Sequence, residues 1–398
     1  MQSKQIKNNF NIKEVIFLIV ITCIVSLVMG YNLNNKNFGS NSTQKNDIMS
    51  EIYDNYKYIK ENYYEDVDDD TLLKGAIEGM VNALGDDYST SIDDENSNSF
   101  NARLTGSYSG VGVEITNDTN NNIVVTEVFE DSPADKSGIE VLDIIKKIDE
   151  ESFENKKTSD LTNYIKNSNK KEFTITVVRD GEELTFELVR EIINIKSIHS
   201  EVKTIDNHKI GYMYISIFAE NTAKQFEQEI EELELQDIES LIIDVRYNTG
   251  GHLTTVVDML SCLIDSSKVI YQIEEKGKIT KYYSKGEITK KYPIVVLQNG
   301  ESASASELLS SALKEQYGAT IIGEKSFGKG TVQKLITLEN GIQYKFTTKK
   351  WLTSKGIWIN EKGVDVDIEV KLDDEYFENP SDETDNQLQE ALNYLIKK

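Results

Sequence analysis

The sequence predicts an α/β fold that carries a β-rich domain and follows a helical N-terminal region. In the C-terminal half, apolar runs at residues 292–297 and 319–322 flank a segment, residues 304–316, whose leucines and alanines have helical spacing. Residues 106–191 instead contain short alternating strands, and residues 47–84 contain amphipathic helical stripes. The order strand, helix, strand predicts a βαβ unit and therefore a parallel sheet in the C-terminal half.

The composition limits the classes of partner. The chain has 398 residues, enough for two or three domains at about 150 residues each. Its net charge of −25 argues against nucleic acid or an anionic membrane surface as a partner. Cys23 and Cys262 lie in different settings, so we expect no disulfide framework. Because neither cysteine has metal-ligand spacing and no HExxH pattern occurs, the sequence predicts no metal site.

An uncharged apolar segment, residues 15–31, follows three lysines near the N-terminus. It is at the short end of a membrane span but exceeds a usual signal-peptide core. Because no A-x-A-like cleavage site follows it, the sequence favours an uncleaved transmembrane anchor over a signal peptide. The lysines predict that residues 1–14 are cytoplasmic and that everything after the anchor lies outside the cell membrane. Residues 32–46 are polar and Asn-rich and would form a tether.

Two apolar stripes predict helices between residues 47 and 84. Such stripes pack against another apolar surface, although an anchored helical stalk without a partner has the same pattern. The stripes contain Ile48, Ile52, Tyr56 and Ile59 in the first helix, and Leu72, Leu73, Ala76, Ile77 and Met80 in the second.

A serine and a lysine are expected to meet at one edge of the C-terminal sheet. A right-handed βαβ crossover makes the two strands parallel, so the loops at residues 300–306 and 324–330 leave the sheet at the same edge. These loops contain Ser304 and Lys329. Ser304 could instead cap the following helix in a capping box with Glu307, and Lys329 could be a solvated loop lysine. The glycines on both sides of Lys329 nevertheless indicate close backbone packing.

Further features belong to the same edge. If the chain continues from Lys329 as a strand, Gln333 lies on the same face and could hold the lysine amine in place. A glycine pair, Gly250 and Gly251, follows a buried-type strand that ends at this edge. The chain has three histidines, of which only His252 is near these loops, and it has no G-x-S-x-G motif. A histidine base is therefore the minor alternative to a lysine base.

The motifs SASASE and GEKSFGKGTVQ resemble the signature of the C-terminal (tail-specific) processing peptidases, a serine protease family that uses a Ser-Lys dyad. The resemblance covers residues 47–398. It implies that Ser304 is the nucleophile, Lys329 the general base and Gln333 the group that orients the lysine. It also implies a catalytic domain of the crotonase and ClpP-like class, whose chemistry needs no cofactor.

The segment DVRYNTGGH resembles the family motif DLRxNPGG, with Thr249 in place of proline. The resemblance implies that Gly250 or Gly251 provides one backbone N–H of an oxyanion hole and that Ala305 provides the other.

The segment YSGVGVEI resembles the loop of a PDZ domain in which backbone N–H groups hold the terminal carboxylate of a peptide. Ordinary turn glycines are the other interpretation of Gly110 and Gly112, and Leu142 occupies a turn position where the family has glycine. The resemblance implies that the carboxylate is bound by Ser109, Gly110, Val111, Gly112 and Val113.

The segment LLKGAIEGMVNALGDDYST resembles the helical region that helps this family form a dimer, with LGDDY in place of LDPY. We therefore expect a homodimer whose partners are proteins or peptides with accessible C-termini. The expected organisation is a cytoplasmic N-terminus (1–14), an anchor (15–31), a tether (32–46), a helical dimerisation region (47–95), a PDZ domain (96–191), a peptidase domain (192–372) and a C-terminal tail and helix (373–398).

The expected function is that of a serine endopeptidase that recognises protein C-termini through the PDZ domain and hydrolyses peptide bonds. A catalytically inactive PDZ scaffold that binds C-termini is the alternative. An acyl-CoA-type enzyme of the related crotonase fold is a third possibility, but it would leave the PDZ domain and the anchor unexplained.

Overall fold

The computed structural model describes residues 43–92 and 104–398. The predicted anchor, residues 15–31, lies outside the described residues. Across the two described ranges, none of the helices combines the length and the apolar character that crossing a membrane requires. The chain divides into two compact units, one ending at Met80 and the other beginning at Val81.

The first unit contains helix α1, Thr43–Asn62, and most of helix α2, Asp69–Asn82. Helix α1 begins inside the segment predicted to be a tether, where no glycine or proline interrupts the helical pattern. The Tyr56 hydroxyl donates to Oδ1 of Asp69 at 2.6 Å and joins the two helices. The apolar stripe of α1 is exposed at Ile48, Ile52 and Ile59.

In the second unit, the end of helix α2 is followed by a short strand. Strand β1, Thr90–Ile92, lies in the predicted dimerisation region, residues 47–95, but beyond residues 47–84, whose apolar stripes predict helices. It pairs antiparallel with a strand about 250 positions later, with Ser91 opposite Tyr344. The apolar stripes therefore predict the two helices but not this strand, because its conformation depends on pairing with a distant strand.

The β-rich domain contains an antiparallel sheet with five strands in a row and a short sixth strand at its side. A separate two-stranded ribbon belongs to the same domain. Its sheet order is β3-β4-β5-β7-β8, β6 pairs with β5, and β2 pairs with β9. Its core is apolar and includes Val125, Ile148, Phe153 and Val177. The elements are β2 Ser107–Gly110, β3 Val113–Asn117, β4 Ile123–Val128, α3 Pro133–Ser137, β5 Ile144–Ile148, β6 Glu151–Ser152, α4 Thr158–Asn167, β7 Glu172–Arg179, β8 Glu182–Val189 and β9 Glu191–Asn194.

The remaining chain forms the predicted α/β domain. Its elements are β10 Ile198–Ile205, β11 His208–Ile215, α5 Thr222–Leu235, β12 Ser240–Asp244, α6 Leu253–Ser261, β13 Val269–Glu275, β14 Lys278–Tyr283, β15 Ile294–Gln298, α7 Ala305–Ala312, β16 Thr320–Gly323, β17 Thr331–Thr337, β18 Gln343–Thr353, β19 Ile368–Glu369, α8 Asp374–Glu378 and α9 Asn386–Ile396. The helix predicted up to residue 316 changes to a π-helical turn at Leu313–Tyr317.

The central sheet of this domain has the order β10-β11-β12-β15-β16-β19. All of its pairs are parallel except β10 with β11. Every residue of β12 and β15 is buried, as expected for parallel strands covered on both faces. One face packs in a large core that includes Phe218, Phe226 and Trp351, and the other packs against α9 through Leu388 and Leu392. The C-terminal helix thus docks on the body of the same chain.

A second sheet carries the continuation of the predicted lysine loop. Its order is β1-β18-β13-β14, and β17 also pairs with β18. The register between β17 and β18 shifts by one residue between Val332 and Gln333. Gln333 therefore lies opposite Thr347, which fixes where its side chain finds partners.

Candidate active site

The carboxyl ends of the parallel strands meet at one edge of the central sheet, as the sequence predicts. Asp244 pairs with Leu297 at the end of β12, and Gln298 pairs with Gly323 at the end of β16. The loops that follow β12, β15 and β16 therefore leave the sheet side by side. We call them the glycine loop (residues 245–252), the serine loop (299–304) and the lysine loop (324–330).

Hydrogen bonds join the three loops. The hydroxyl of Ser302 donates to the carbonyl oxygen of Val245 at 2.8 Å. The N–H of Ala303 donates to the carbonyl oxygen of Asn248 at 3.1 Å. The N–H of Phe327 donates to the carbonyl oxygen of Ser302, also at 3.1 Å. The serine loop is thus fixed between the other two.

Ser304 has a backbone conformation that is unfavourable for a residue with a side chain. Its φ is 55° and its ψ is −109°, immediately before helix α7. A Cβ atom added to Gly250 would lie 2.9 Å from Cβ of Ser304, so the glycine loop reaches the serine. Only surrounding contacts can hold such a conformation, and strain of this kind is concentrated at functional sites.

The two glycines of the glycine loop differ in whether their N–H groups are free. The N–H of Gly250 donates to Oδ1 of Asn248 at 2.9 Å. Among the described residues, the N–H groups of Gly251 and Ala305 have no hydrogen-bond acceptor. The free donors are therefore those of Ala305, which follows Ser304 in the chain, and of Gly251 in the glycine loop. Preorganised donors of this kind can stabilise an oxyanion.

Glu307 connects the serine to the lysine loop. Its side chain is fully buried, and its carboxylate accepts four hydrogen bonds. Oε2 accepts from the N–H of Ser304 at 2.7 Å and from that of Lys329 at 2.8 Å. Oε1 accepts from the hydroxyl of Ser326 at 2.6 Å and from the N–H of Gly328 at 2.7 Å. Burial raises the pKa of Glu307, while these four donors favour its ionised form.

Sequence reasoning assigned Glu307 only to a capping box. Its bond from the N–H of Ser304 fits that motif, but its three bonds to the lysine loop do not arise from local spacing. The available signal was the glycine-rich sequence around Lys329, whose backbone donors need an acceptor when the loop packs closely and is buried.

The backbone of Lys329 is held on both sides, and its side chain is half-buried. Its carbonyl oxygen accepts from Nε1 of Trp351 at 2.8 Å, opposite the bond from its N–H to Glu307. Burial lowers the pKa of Lys329, and the positive charge of Lys345 lowers it further, while Asp86 and Glu307 act in the opposite direction. A lysine with a lowered pKa is suited to act as a base.

The packing predicted for the glycines around Lys329 is present. A Cβ atom on Gly328 would lie 2.9 Å from the backbone N of Gly363, and one on Gly330 would lie 2.7 Å from Nε1 of Trp358. Larger residues at either position would displace the lysine loop.

The structure brings Ser304 and Lys329 to one site without a direct bond between their side chains. In the part of the chain that the structure describes, no hydrogen bond joins Nζ of Lys329 to Oγ of Ser304 or to Gln333. The amide nitrogen of Gln333 instead donates to Oγ1 of Thr331 and of Thr347, both at 3.0 Å. The orienting role of Gln333 therefore stays a prediction.

The histidines do not form a triad within the described residues. His252 immediately precedes helix α6, and its N–H donates to the carbonyl oxygen of Phe218 at 2.7 Å. Its Nε2 is buried and has no hydrogen-bond partner among the described residues. His199 and His208 lie on β10 and β11 at exposed positions. The part of the chain that the structure describes contains no cluster of His, Cys, Asp and Glu that could hold a metal ion.

The predicted carboxylate loop, residues 109–113, connects β2 to β3. The carbonyl oxygens of Val111 and Gly112 accept from the N–H groups of Ala134 and Phe129, at 2.9 and 3.0 Å. Because a trans peptide places C=O and N–H on opposite sides, the N–H groups of Gly112 and Val113 point away from these partners. Gly112 has a φ of 90°, and a Cβ atom there would lie 2.1 Å from Cβ of Ser132.

The turn at Leu142 keeps the geometry that a glycine would give. Leu142 has a φ of 77° and is exposed, so the backbone is left-handed despite the side chain. The next residue, Asp143, is buried and its Oδ1 accepts from Nε of Arg179 at 2.7 Å. The substitution therefore leaves the turn intact.

Replacing Glu307 with glutamine is expected to lower both activity and stability. The amide would offer one acceptor oxygen where the carboxylate offers two, leaving buried donors of the serine and lysine loops unpaired. We expect a loss of about 2 to 4 kcal/mol in the free energy of unfolding and about a hundredfold loss of kcat. Denaturant unfolding and a cleavage assay measure the two effects.

Glu301→Gln is the matched control, because Glu301 is an exposed residue of the serine loop. It should leave both quantities unchanged. Activity of Glu307→Gln within twofold of the parent would show that the four hydrogen bonds do not position the site.

Family models match three parts of the chain. They are described as peptidase family S41 (residues 209–370), PDZ domain (109–189) and activating protease CtpB N-terminal domain (28–96). The carboxy-terminal processing protease CtpB of Bacillus subtilis (strain 168) is 35% identical over 341 residues, covering 85% of this chain and 71% of the relative. The carboxy-terminal processing protease CtpA of the same strain is 33% identical over 368 residues, covering 91% and 78%.

A solved structure supports the fold. The putative S41 protease from Bacteroides fragilis NCTC 9343 has a TM-score of 0.50 with this chain. The match covers 80% of this chain and 90% of the chain in the solved structure. At 14% identity the likeness concerns the fold alone. The family matches and the two relatives confirm the predicted family and the α/β fold with a PDZ domain, so the chain belongs to peptidase family S41 and is a serine protease of the carboxy-terminal processing type.

Proposed function

We propose that the chain is a membrane-anchored, extracytoplasmic endopeptidase in which Ser304 and Lys329 form a catalytic dyad. The observation that carries the proposal is the meeting of three loops at one sheet edge. The loops at this edge contain a strained serine, two free backbone N–H groups and a lysine with a lowered pKa. These are the parts that acyl transfer to a serine requires.

In the first half of the reaction, Oγ of Ser304 attacks the carbonyl carbon of the scissile bond, and the neutral amine of Lys329 takes the hydroxyl proton. The N–H groups of Gly251 and Ala305 hold the oxyanion. The Lys329 ammonium then gives its proton to the leaving amine as the C–N bond breaks, which produces an acyl-enzyme.

In the second half, water attacks the ester and Lys329 again acts as the base. The tetrahedral intermediate collapses, the ester bond to Ser304 breaks and the serine recovers its proton from Lys329. The products are a new C-terminus and a regenerated dyad. Because Nζ of Lys329 is not bonded to Ser304 in the structure, the lysine side chain must turn towards the serine before attack.

The anchor and the location are proposed from residues 15–31 and the lysines before them. A homodimer is proposed because α1 exposes an apolar stripe, at Ile48, Ile52 and Ile59, that a second copy could cover. Light scattering on the full chain in detergent measures the oligomeric state.

Substrates are proposed to bind by their C-termini to the loop at residues 109–113. The outward N–H groups of Gly112 and Val113 can donate to a carboxylate, and hydrogen bonds to a charged acceptor are about twice as strong as neutral ones. We therefore expect a peptide with a free C-terminus to bind about tenfold more tightly than its C-terminal amide.

Fluorescence anisotropy with the full-length Ser304→Ala chain measures this difference without cleavage. Acetylating the N-terminus of the same peptide is the control and should leave the affinity unchanged. Equal affinities for the acid and the amide would remove the carboxylate-binding role of residues 109–113. Such a result would leave the dyad untouched, because Ser304 and Lys329 lie in another domain.

A further inference from the structure

The turn that follows helix α2 reaches the lysine loop. Nζ of Lys329 lies 4.8 Å from the centre of the Tyr88 ring, within the distance at which a cation interacts with an aromatic face. Nothing in the mechanism above uses Tyr88, which is half-buried. Sequence reasoning assigned its neighbourhood to a helical region and missed it.

Tyr88 is held in place by a defined turn. Its N–H donates to Oδ1 of Asp86 at 3.3 Å, and the N–H of Ser89 donates to the carbonyl oxygen of Asp86 at 3.0 Å. The hydroxyl of Ser89 accepts from the N–H of Thr347 on β18 at 3.1 Å. The turn is therefore fixed to strand β18 at Thr347. The side-chain amide of Gln333 donates to the hydroxyl of the same residue.

We propose that Tyr88 is a positioning residue that holds the Lys329 ammonium against its ring and so competes with Ser304 for the lysine side chain. This inference rests on the proposed role of Lys329 as the base. Two observations carry it: the ring lies against Nζ, and no hydrogen bond within the described residues joins that nitrogen to Ser304 or Gln333.

The attraction depends on the protonation of the lysine. An aromatic face attracts the ammonium and offers little to the neutral amine, so deprotonation frees Lys329 to turn towards Ser304. The charged groups that face Lys329 are Glu307 on α7, Asp86 in the turn and Lys345 on β18. Burial lowers the pKa of Lys329, and the ring opposes this by stabilising the charged form.

Tyr88→Leu keeps an apolar side chain and removes the ring face. Without the ring the ammonium is less stable, so the acidic limb of kcat/KM should move to lower pH by about half a unit. Tyr88→Phe keeps the face and should retain the wild-type limb. Tyr88→Trp strengthens the face and should move the limb to higher pH. The assay uses the full-length chain and an unfolded protein substrate, after thermal unfolding has shown that each variant is folded.

A second measurement separates this inference from the proposed dyad. In the full-length Ser304→Ala background, the pH dependence of Lys329 labelling by an amine-reactive reagent gives its pKa without catalysis. A downward shift in Tyr88→Leu and an upward shift in Tyr88→Trp support the inference. The inference is overturned if the pH dependence of labelling and the acidic limb of kcat/KM are each the same in Tyr88→Leu, Tyr88→Phe and Tyr88→Trp. It is also overturned if either moves to higher pH in Tyr88→Leu. If labelling shifts but the activity limb of the active chains does not, the inference holds and the role of Lys329 as the base fails.

Discussion

Replacing Ser304 with alanine is expected to abolish peptide-bond hydrolysis while leaving the protein folded. The hydroxyl is the proposed nucleophile, and in serine peptidases the loss of this group costs about 10⁶ in kcat. Alanine retains the Cβ atom and the half-buried position, and the hydrogen bond from the backbone N–H to Glu307 does not involve the side chain that changes. Cleavage of an unfolded protein by the full-length variant measures the loss.

Glycine at the same position adds a test of the backbone strain. Because φ at Ser304 is 55°, glycine should relieve strain and raise the free energy of unfolding by about 1 kcal/mol, with activity lost as in alanine. Thermal unfolding measures this gain. The active wild-type protein would then be less stable than the inactive Ser304→Gly variant, as expected where activity requires a strained backbone.

Ser310→Ala is the matched control. Ser310 lies on helix α7, which Ser304 immediately precedes; it is buried, and its hydroxyl has no hydrogen-bond partner among the described residues. Its removal should leave cleavage unchanged and stability equal or slightly higher. Full activity in Ser304→Ala would contradict the assignment of the nucleophile and would favour a different catalytic group.

Replacing Lys329 with alanine is expected to lower kcat by about 10² to 10⁴, the range for loss of a general base. Because burial lowers the pKa of Lys329, its neutral form appears below the pH at which a free lysine loses its proton. Wild-type activity should therefore rise with pH through that lowered pKa, and the rise should be absent from the residual activity of Lys329→Ala. A pH series of kcat/KM measures both effects.

The lowered pKa of Lys329 also determines how the free energy of unfolding changes with pH. A lysine whose pKa is lowered in the folded state holds its proton less tightly there than in the unfolded chain. Between the folded and unfolded pKa values the unfolded chain binds more protons, so wild-type stability should rise with pH relative to Lys329→Ala. Denaturant unfolding of both proteins at several pH values tests this slope.

Lys325→Ala is the matched control in the same loop. The Lys325 side chain is 55% exposed and its partner Asp365 is 78% exposed, at 2.9 Å. An exposed ion pair of this kind contributes little, so the variant should keep near-wild-type activity and stability. An essential Lys325 with a dispensable Lys329 would show that the base has been assigned to the wrong lysine.

The arrangement of the central sheet was predictable from local pattern. The apolar runs that became β15 and β16 flank a helical spacing, and a right-handed crossover makes such strands parallel. That rule places the loops of Ser304 and Lys329 at one edge without reference to any other part of the chain. The short motifs at residues 302–307 and 323–333 then identified the family, which the comparisons confirm.

Local pattern could not determine which groups complete the site. Gly250 and Gly251 are equivalent in sequence, and only the bond from the Gly250 N–H to Asn248 leaves Gly251 as the free donor. The acceptor role of Glu307 depends on donors about 20 residues away, and the bond between the Gln333 amide and Thr347 depends on the register of β17 with β18.

The sequence by itself determined the family, the strand order around the serine and the residue types available for chemistry, because these follow from short-range periodicity and motif spacing. The tertiary structure alone decided that β1 joins the second sheet and that Tyr88 lies against Lys329, about 240 positions away. Contacts between segments so far apart depend on how sheets pack and pair. Their energy is gained only when the whole domain folds, so no local stretch of sequence encodes them.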